Sequence, residues 1–310
     1  MPDTYIKNSG SWSKLKKAYI KNGGNWSEIK NIWIKNAGVW QRVYINMPET
    51  IQVLIVGGGG GGQAKAGGGG GGLIEWVSIA PVQSTNYSIV IGAGGAPGAK
   101  GGDTTAFGKM AMGGGFGAPY LGSGGPGGSG GGGEERFRGG NNPGGSGFYP
   151  GITINGVTFN TAIHVARQGY DGGYGFSNNQ NYAGGQGGGY TSVGAGGYQL
   201  AGQGIYDNGY VTDANLRQVP PFNNTGGEVV TRIGIGGGYS TAYSGGSVVP
   251  IGAGKWYGNG GQPGGAGTQG IVVVRYAGTV SGTGGNHVTY NSNNDTSYHV
   301  FTSAGTLRFN

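Results

Sequence analysis

The chain has 310 residues, of which 80 are glycine, with a net charge of +7 and no cysteine. Collagen is excluded: its glycine must fall at every third position beside abundant proline, whereas here glycine comes in runs such as 57–62 and 67–72 with only 12 prolines in all. The composition also argues against disorder, since disordered chains are highly charged and poor in aromatics and this one is 10 % charged and 11 % aromatic, while the lack of cysteine removes disulfides and thiolate metal sites.

Residues 1–46 hold most of the charge, eight Lys or Arg against Asp3 and Glu28, which is +6 of the +7. The same segment contains a 14-residue repeat: Tyr5-Ile-Lys-Asn then Trp12, Tyr19-Ile-Lys-Asn then Trp26, Trp33-Ile-Lys-Asn then Trp40. Aromatics every seven residues raise the possibility of a coiled coil. Each repeat, however, carries an Asn-x-Gly step (Asn8 to Gly10, Asn22 to Gly24, Asn36 to Gly38). Glycine costs about 1 kcal/mol at a helical position, whereas Asn and Gly suit tight turns. The expectation is one hairpin per repeat, with strands at 18–21 and 26–29 around a turn at 22–25, the three forming a short-strand meander. Its rings are expected on one face and its lysines on the other or at the edges. So small a unit has little core of its own. Tyr5, Trp12, Tyr19, Trp26, Trp33 and Trp40 are therefore candidate docking residues, for other proteins of the same assembly or for further copies of this chain, a trimer among the options. A basic patch with aromatics also suits nucleic acid, but the repeat accounts for the lysines and no nucleic-acid partner is expected. The first ten residues lack the apolar core of a signal peptide, and no run of 18 apolar residues occurs. Synthesis in the cytoplasm without membrane insertion is the expectation.

From Ile51 the chain reads Ile-Gln-Val-Leu-Ile-Val and then six glycines. A strand running into glycine suggests a dinucleotide fingerprint, but Gln-Ala-Lys-Ala and six more glycines follow, leaving no room for the helix that would hold the phosphate. Asp103 and Asp171 do not fall in the repeating Gly-Gly-x-Gly-x-Asp spacing of a calcium β-roll. No cofactor and no metal are expected. Ordered glycine runs suit the left-handed polyglycine II helix, which makes no internal hydrogen bonds, so that its outward N–H and C=O groups can bond neighbouring rods. The fold class expected is all-β: the N-terminal meander at 1–46, then a glycine-rich body of strands and packed polyglycine II-like segments at 47–277, then a linker and C-terminal strand pair at 278–310.

Ile51 to Trp76, Tyr87 to Gly95, Gly101 to Gly108 and Gly270 to Tyr276 resemble, in their ordered series of strand and glycine blocks, the glycine-rich domain of phage tail-fibre and tail-tip proteins. The N-terminal repeat similarly resembles modules of phage structural proteins. The resemblance implies a virion protein assembled in the host cytoplasm, with packed polyglycine helices capped by variable loops that touch a bacterial surface receptor, either polysaccharide or outer-membrane protein. The segment Tyr298 to Phe309 resembles a strand pair that in the family precedes the first glycine run. Here it comes last, and it either returns to its own domain or completes a neighbour's.

An insertion at about 116–260 carries most of the individuality. Asn155-Gly156 between Ile152–Ile154 and Val157–Phe159 signals a two-residue hairpin. Elsewhere glycine pairs alternate with tyrosine, and Tyr suits binding loops through its large contact area and polar tip. Tyr170, Tyr174, Tyr182, Tyr190, Tyr198, Tyr206, Tyr210, Tyr239, Tyr243, Trp256 and Tyr257 are the candidate receptor contacts. His164, His287 and His299 lie in unrelated segments, and Glu134 and Glu135 are adjacent, so an extended chain points them apart. No catalytic site is expected.

Overall fold

The computed structural model describes residues 5–8, 10–14, 18–29, 31–45, 47–63, 65–136, 140–141, 143–147, 153–154, 157–158, 163, 167–178, 181–184, 187–189, 193 and 257–309. The chain is all-β, and its pairings are antiparallel.

Three hairpins come first: β1 (Tyr5–Asn8) with β2 (Ser11–Lys14), β3 (Ala18–Asn22) with β4 (Asn25–Ile29), and β5 (Asn31–Asn36) with β6 (Val39–Ile45). Each is its own two-stranded sheet. The turns are built as the Asn-x-Gly steps require, with Gly23 and Gly24 at φ 57° and 90° and Ala37 and Gly38 at 47° and 82°, the left-handed pair of a two-residue hairpin loop.

The body begins with β7 (Ile51–Val56), β8 (Leu73–Ile79), β9 (Asn86–Val90), β10 (Thr104–Ala106) and β11 (Lys109–Ala111). Three short hairpins follow within the insertion: β12 (Glu135–Arg136) with β13 (Gly140–Asn141), β14 (Thr153–Ile154) with β15 (Val157–Thr158), and β16 (Phe176–Asn178) with β17 (Asn181–Ala183). The chain closes with β18 (Ile271–Ala277), β19 (Gly282–Thr283), β20 (His287–Asn291), β21 (Thr296–Phe301) and β22 (Gly305–Phe309). Two five-stranded sheets result, in the orders β20-β21-β18-β7-β8 and β11-β10-β9-β22-β19. The C-terminal pair therefore completes its own domain, β21 bonding β18 and β22 bonding β9, so that one strand of the pair enters each sheet.

The sheets face each other across a core of Ile51, Val53, Ile55, Val272, Val274, Phe301 and Phe309 with Ile89 and Leu307. Leu54, Val56, Ile271, Val273 and Val300 alternate with these and form a second cluster on the other face of the first sheet, with Leu73, Tyr257 and Tyr298. Strands β7 and β18 are thus buried on both faces, which is why they read as unbroken apolar runs rather than alternating ones. In the core, Tyr276 Oη lies 2.8 Å from His299 Nε2, and His299 Nδ1 lies 2.6 Å from the Gly284 carbonyl. Nδ1 donates to that carbonyl, so Nε2 accepts from the tyrosine. The Tyr276 oxygen in turn accepts from the Ser281 and Gly282 N–H groups. Burial lowers the His299 pKa, opposed in part by the Gly284 bond.

Where strand becomes glycine, the chain runs on as rods. Successive N–H groups of 57–62 donate to Gly72, Gly102, Thr268, Gly69, Ala99 and Gly265, at 2.8–2.9 Å. Residues three apart thus reach the same neighbour, the threefold symmetry of the polyglycine II helix. Their carbonyls face three further rods: Gly58 and Gly61 accept from Gly114 and Gly117, Gly59 and Gly62 from Gly95 and Gly98, and Gly60 from Gly261. The rod at 57–62 therefore stands inside a ring of six, antiparallel to those that take its N–H groups and parallel to those that bond its carbonyls. The residues of 57–62 and of 67–72 are buried, and a Cβ on any residue of 57–62 would overlap backbone of a neighbouring rod, so this central rod depends on carrying no side chain.

Candidate binding surfaces

Side chains act in the lattice mainly where a rod meets strand, standing in for peptide groups. Gln168 Nε2 donates to the Met110 carbonyl at 2.7 Å, and its Oε1 accepts from the Met112 N–H at 2.8 Å. Thr104 Oγ1 receives Gly92 N–H, Thr268 Oγ1 receives Asn259 N–H, and Asp103 receives Gly113 N–H. These bonds fix where the rods leave the sandwich and therefore which connections lie at which end.

Followed through its hydrogen bonds, the chain alternates strictly. Rods at 57–62, 92–95, 112–117, 129–133, 168–173 and 258–262 run away from the sheets; those at 67–72, 99–102, 124–128, 143–147, 187–189 and 265–270 return. The described residues of the connections after outgoing rods consequently gather at one tip: 63 and 65–66, 96–98, 118–123, 134–136 and 140–141, 174–178 and 181–184, and 263–264. Among them, the backbone of β16 runs beside β12 and β13. At 119–122 the Gly122 N–H bonds the Pro119 carbonyl at 2.8 Å. This tight turn carries Tyr120, 61 % exposed, and Leu121, exposed and held at φ 61°. That conformation normally selects Gly or Asn at the third turn position and is strained for leucine.

The tyrosine candidates, grouped together by sequence, are divided by the fold. Tyr174 is exposed at the tip, and Tyr182 belongs to the tip hairpin β16–β17. Tyr170 lies within a rod, half-buried, with the Arg167 guanidinium 4.6 Å from its ring centre. Tyr257 is only 8 % exposed and packs with Leu54, Val56 and Val273. Burial raises its pKa, and it belongs to the core rather than to a contact loop. Tyr190, Tyr198, Tyr206, Tyr210, Tyr239, Tyr243 and Trp256 lie outside the described residues. The rods that flank their segment meet one another at the sheet end, where Gly188 and Gly258 accept from the adjacent N–H groups of Gly70 and Gly71. Tyr120 and Leu121 were missed by sequence reasoning that looked for repeated tyrosine; the available signal was a Pro-x-x-Gly turn directly after a glycine rod.

The hairpins form a second surface. Pairing sets Lys7 opposite Trp12, Lys21 opposite Trp26, and Lys35 opposite Trp40. Lys21 Nζ lies 5.8 Å from the Trp26 ring centre and Lys35 Nζ 5.9 Å from that of Trp40, within reach of a cation–π contact. The lysines therefore share the face of the rings instead of opposing it. The spacing Tyr-x-Lys dictates this, because residues two apart in a strand point the same way. Tyr19, Trp26, Trp33 and Trp40 are all exposed, while Tyr5 and Trp12 are placed by backbone register alone. The opposite face is mixed: exposed Ile20, Ile34 and Val39 are paired with Ser27, Gln41 and Asn36.

A family model described as a glycine-rich domain matches residues 38–277. No curated protein and no solved structure matched the chain.

Proposed function

We propose, from the premise that this chain belongs to the glycine-rich domain family, that it is a phage virion protein of the tail fibre, an adhesin that recognises the bacterial surface through loops at the tip of its glycine lattice. The observation that carries this is the alternation of rods, which gathers six connections at one end of a scaffold whose rods are pinned by backbone hydrogen bonds. Loops held on a rigid framework are where proteins place recognition, and a preorganised surface loses less entropy on binding. The polarity of the chain supports the same role. Residues 47–50 enter β7 at Ile51, the end of that strand opposite the one from which the first rod leaves. Attachment to the particle through residues 1–46 and recognition at the tip would thus use opposite ends of the molecule's strands.

Incubating the purified full chain with intact bacterial cells and with isolated surface polysaccharide tests this. Saturable binding that particles compete away is the expected result. Absence of binding, together with normal adsorption of particles carrying altered tip loops, would overturn the adhesin and leave a purely architectural fibre or capsid component. Shortening of the polysaccharide on incubation would instead reveal a hydrolase. The attachment role is tested by deleting residues 1–46: particles are expected to lose the protein, and normal incorporation would contradict that role.

A further inference from the structure

The three hairpins repeat one motif in their register, and the second and third expose its aromatic rings. We propose that their basic, aromatic face docks onto an acidic protein surface, each hairpin supplying one equivalent subsite; this rests on reading residues 1–46 as the attachment module. Each subsite is a cross-strand Lys–Trp pair, at Lys7 and Trp12, Lys21 and Trp26, and Lys35 and Trp40. In the second and third the indole is exposed and an ammonium stands over it. Residues 1–46 carry eight basic against two acidic side chains. A two-stranded hairpin is marginal alone in water, so a face of this kind is completed by something else.

Three observations select the occupant. Nucleic acid and sugar rings bind aromatics by stacking on an open ring face, but here a lysine ammonium stands over Trp26 and another over Trp40 and competes for that side of the ring. By register this face carries Lys7, Lys14, Lys21, Lys35 and Arg42 against Glu28 alone, so two copies of the chain meeting on it would set basic face against basic face, and like charges opposed across an interface disfavour association. Carboxylates meet the ammonium groups directly, while aliphatic parts of a protein partner cover the indole edges, the combination that makes Trp a frequent anchor in protein interfaces. Single exposed charge pairs contribute little. Three in series on one chain make binding of the second and third effectively intramolecular, which explains why the motif is repeated.

The test uses the full chain and immobilised poly-L-glutamate as an acidic peptide probe, with a thymidine oligonucleotide in parallel, each at low and high salt. Salt-sensitive binding to polyglutamate is expected. The triple variant Lys7→Gln, Lys21→Gln, Lys35→Gln should weaken it by about a hundredfold or more, and Lys21→Gln alone by much less. Thermal unfolding of the body serves as the folding control and should be unchanged. Unaltered binding by the triple variant would overturn the proposal, as would binding that ignores salt or oligonucleotide bound more tightly than polyglutamate. If polyglutamate is not bound but deletion of residues 1–46 still removes the protein from particles, the acidic chemistry is wrong and attachment stands. If deletion leaves incorporation normal, the attachment role itself falls.

Discussion

Gly60 shows what a single residue contributes to this architecture. A Cβ there would overlap the Gly115 carbonyl and meet the neighbouring Gly114 oxygen, both of them backbone inside the lattice. Gly60→Ala should therefore lower stability by about 3 kcal/mol, the upper range for overpacking, and a thermal or denaturant unfolding curve measures it. Gly265 is the control: its nearest neighbour would be the Gln262 carbonyl at 3.2 Å and its φ is not left-handed, so Gly265→Ala should stay within about 1 kcal/mol. Equal losses would mean that helix-like propensity and not packing sets the need for glycine. His299 gives a pH dependence at the same scale. Its pKa is lowered from 6.5 by burial, with the Gly284 bond opposing, so the unfolded chain binds the proton more readily than the folded one. Stability is then full above about pH 6.5 and is lost as pH falls below it. Denaturation midpoints at neutral and mildly acidic pH should show a decline that His299→Gln reduces; a variant declining as steeply as the wild type would contradict this.

At the scale of elements, the joints between rod and strand hold the two parts in register. Gln168→Leu removes both halves of a bridge to Met110 and Met112 and leaves a backbone donor and acceptor without it, at a cost of about 2 kcal/mol or more. Hydrogen exchange should accelerate first at Met112 and its neighbours, and unchanged protection there would argue against the role given to the bridge. Much of this level was legible in the sequence. The apolar runs at 51–56 and 271–276, the turns at Gly23 and Gly38 and the hairpin around residues 155 and 156 follow from local pattern, and the glycine runs imply rods. Which rod bonds which was not legible, because glycines carry no side chain to mark a neighbour; flanking strands and the polar stand-ins Thr104, Thr268 and Gln168 set the alignment. The Lys–Trp pairs were legible in principle, since period two fixes the face of Lys21 once Tyr19 is placed. Tyr257 was misread because a tyrosine beside Trp256 looks the same whether it caps a loop or begins a rod.

For the molecule as a whole, the controlling quantity is the number of rods that precede a connection. An odd number places it at the tip and an even number returns it to the sheets, which composition alone does not reveal. On either side of residues 190–256, Gly188 and Gly258 are both bonded to one rod at the sheet end. Replacing those residues with a short glycine-serine linker should therefore leave the lattice folded, because closing a shorter loop between neighbouring anchors is not costly; loss of cooperative unfolding in the shortened chain would contradict the anchoring described. The most direct measurement is binding of purified chain to intact bacterial cells, comparing the wild type, a tip variant combining Tyr120→Ser, Leu121→Gly and Tyr174→Ser, and the chain shortened at 190–256. The folded tip variant is expected to lose cell binding while the shortened chain retains it. A tip variant that binds as the wild type does, with binding lost only in the shortened chain, would contradict recognition at the tip.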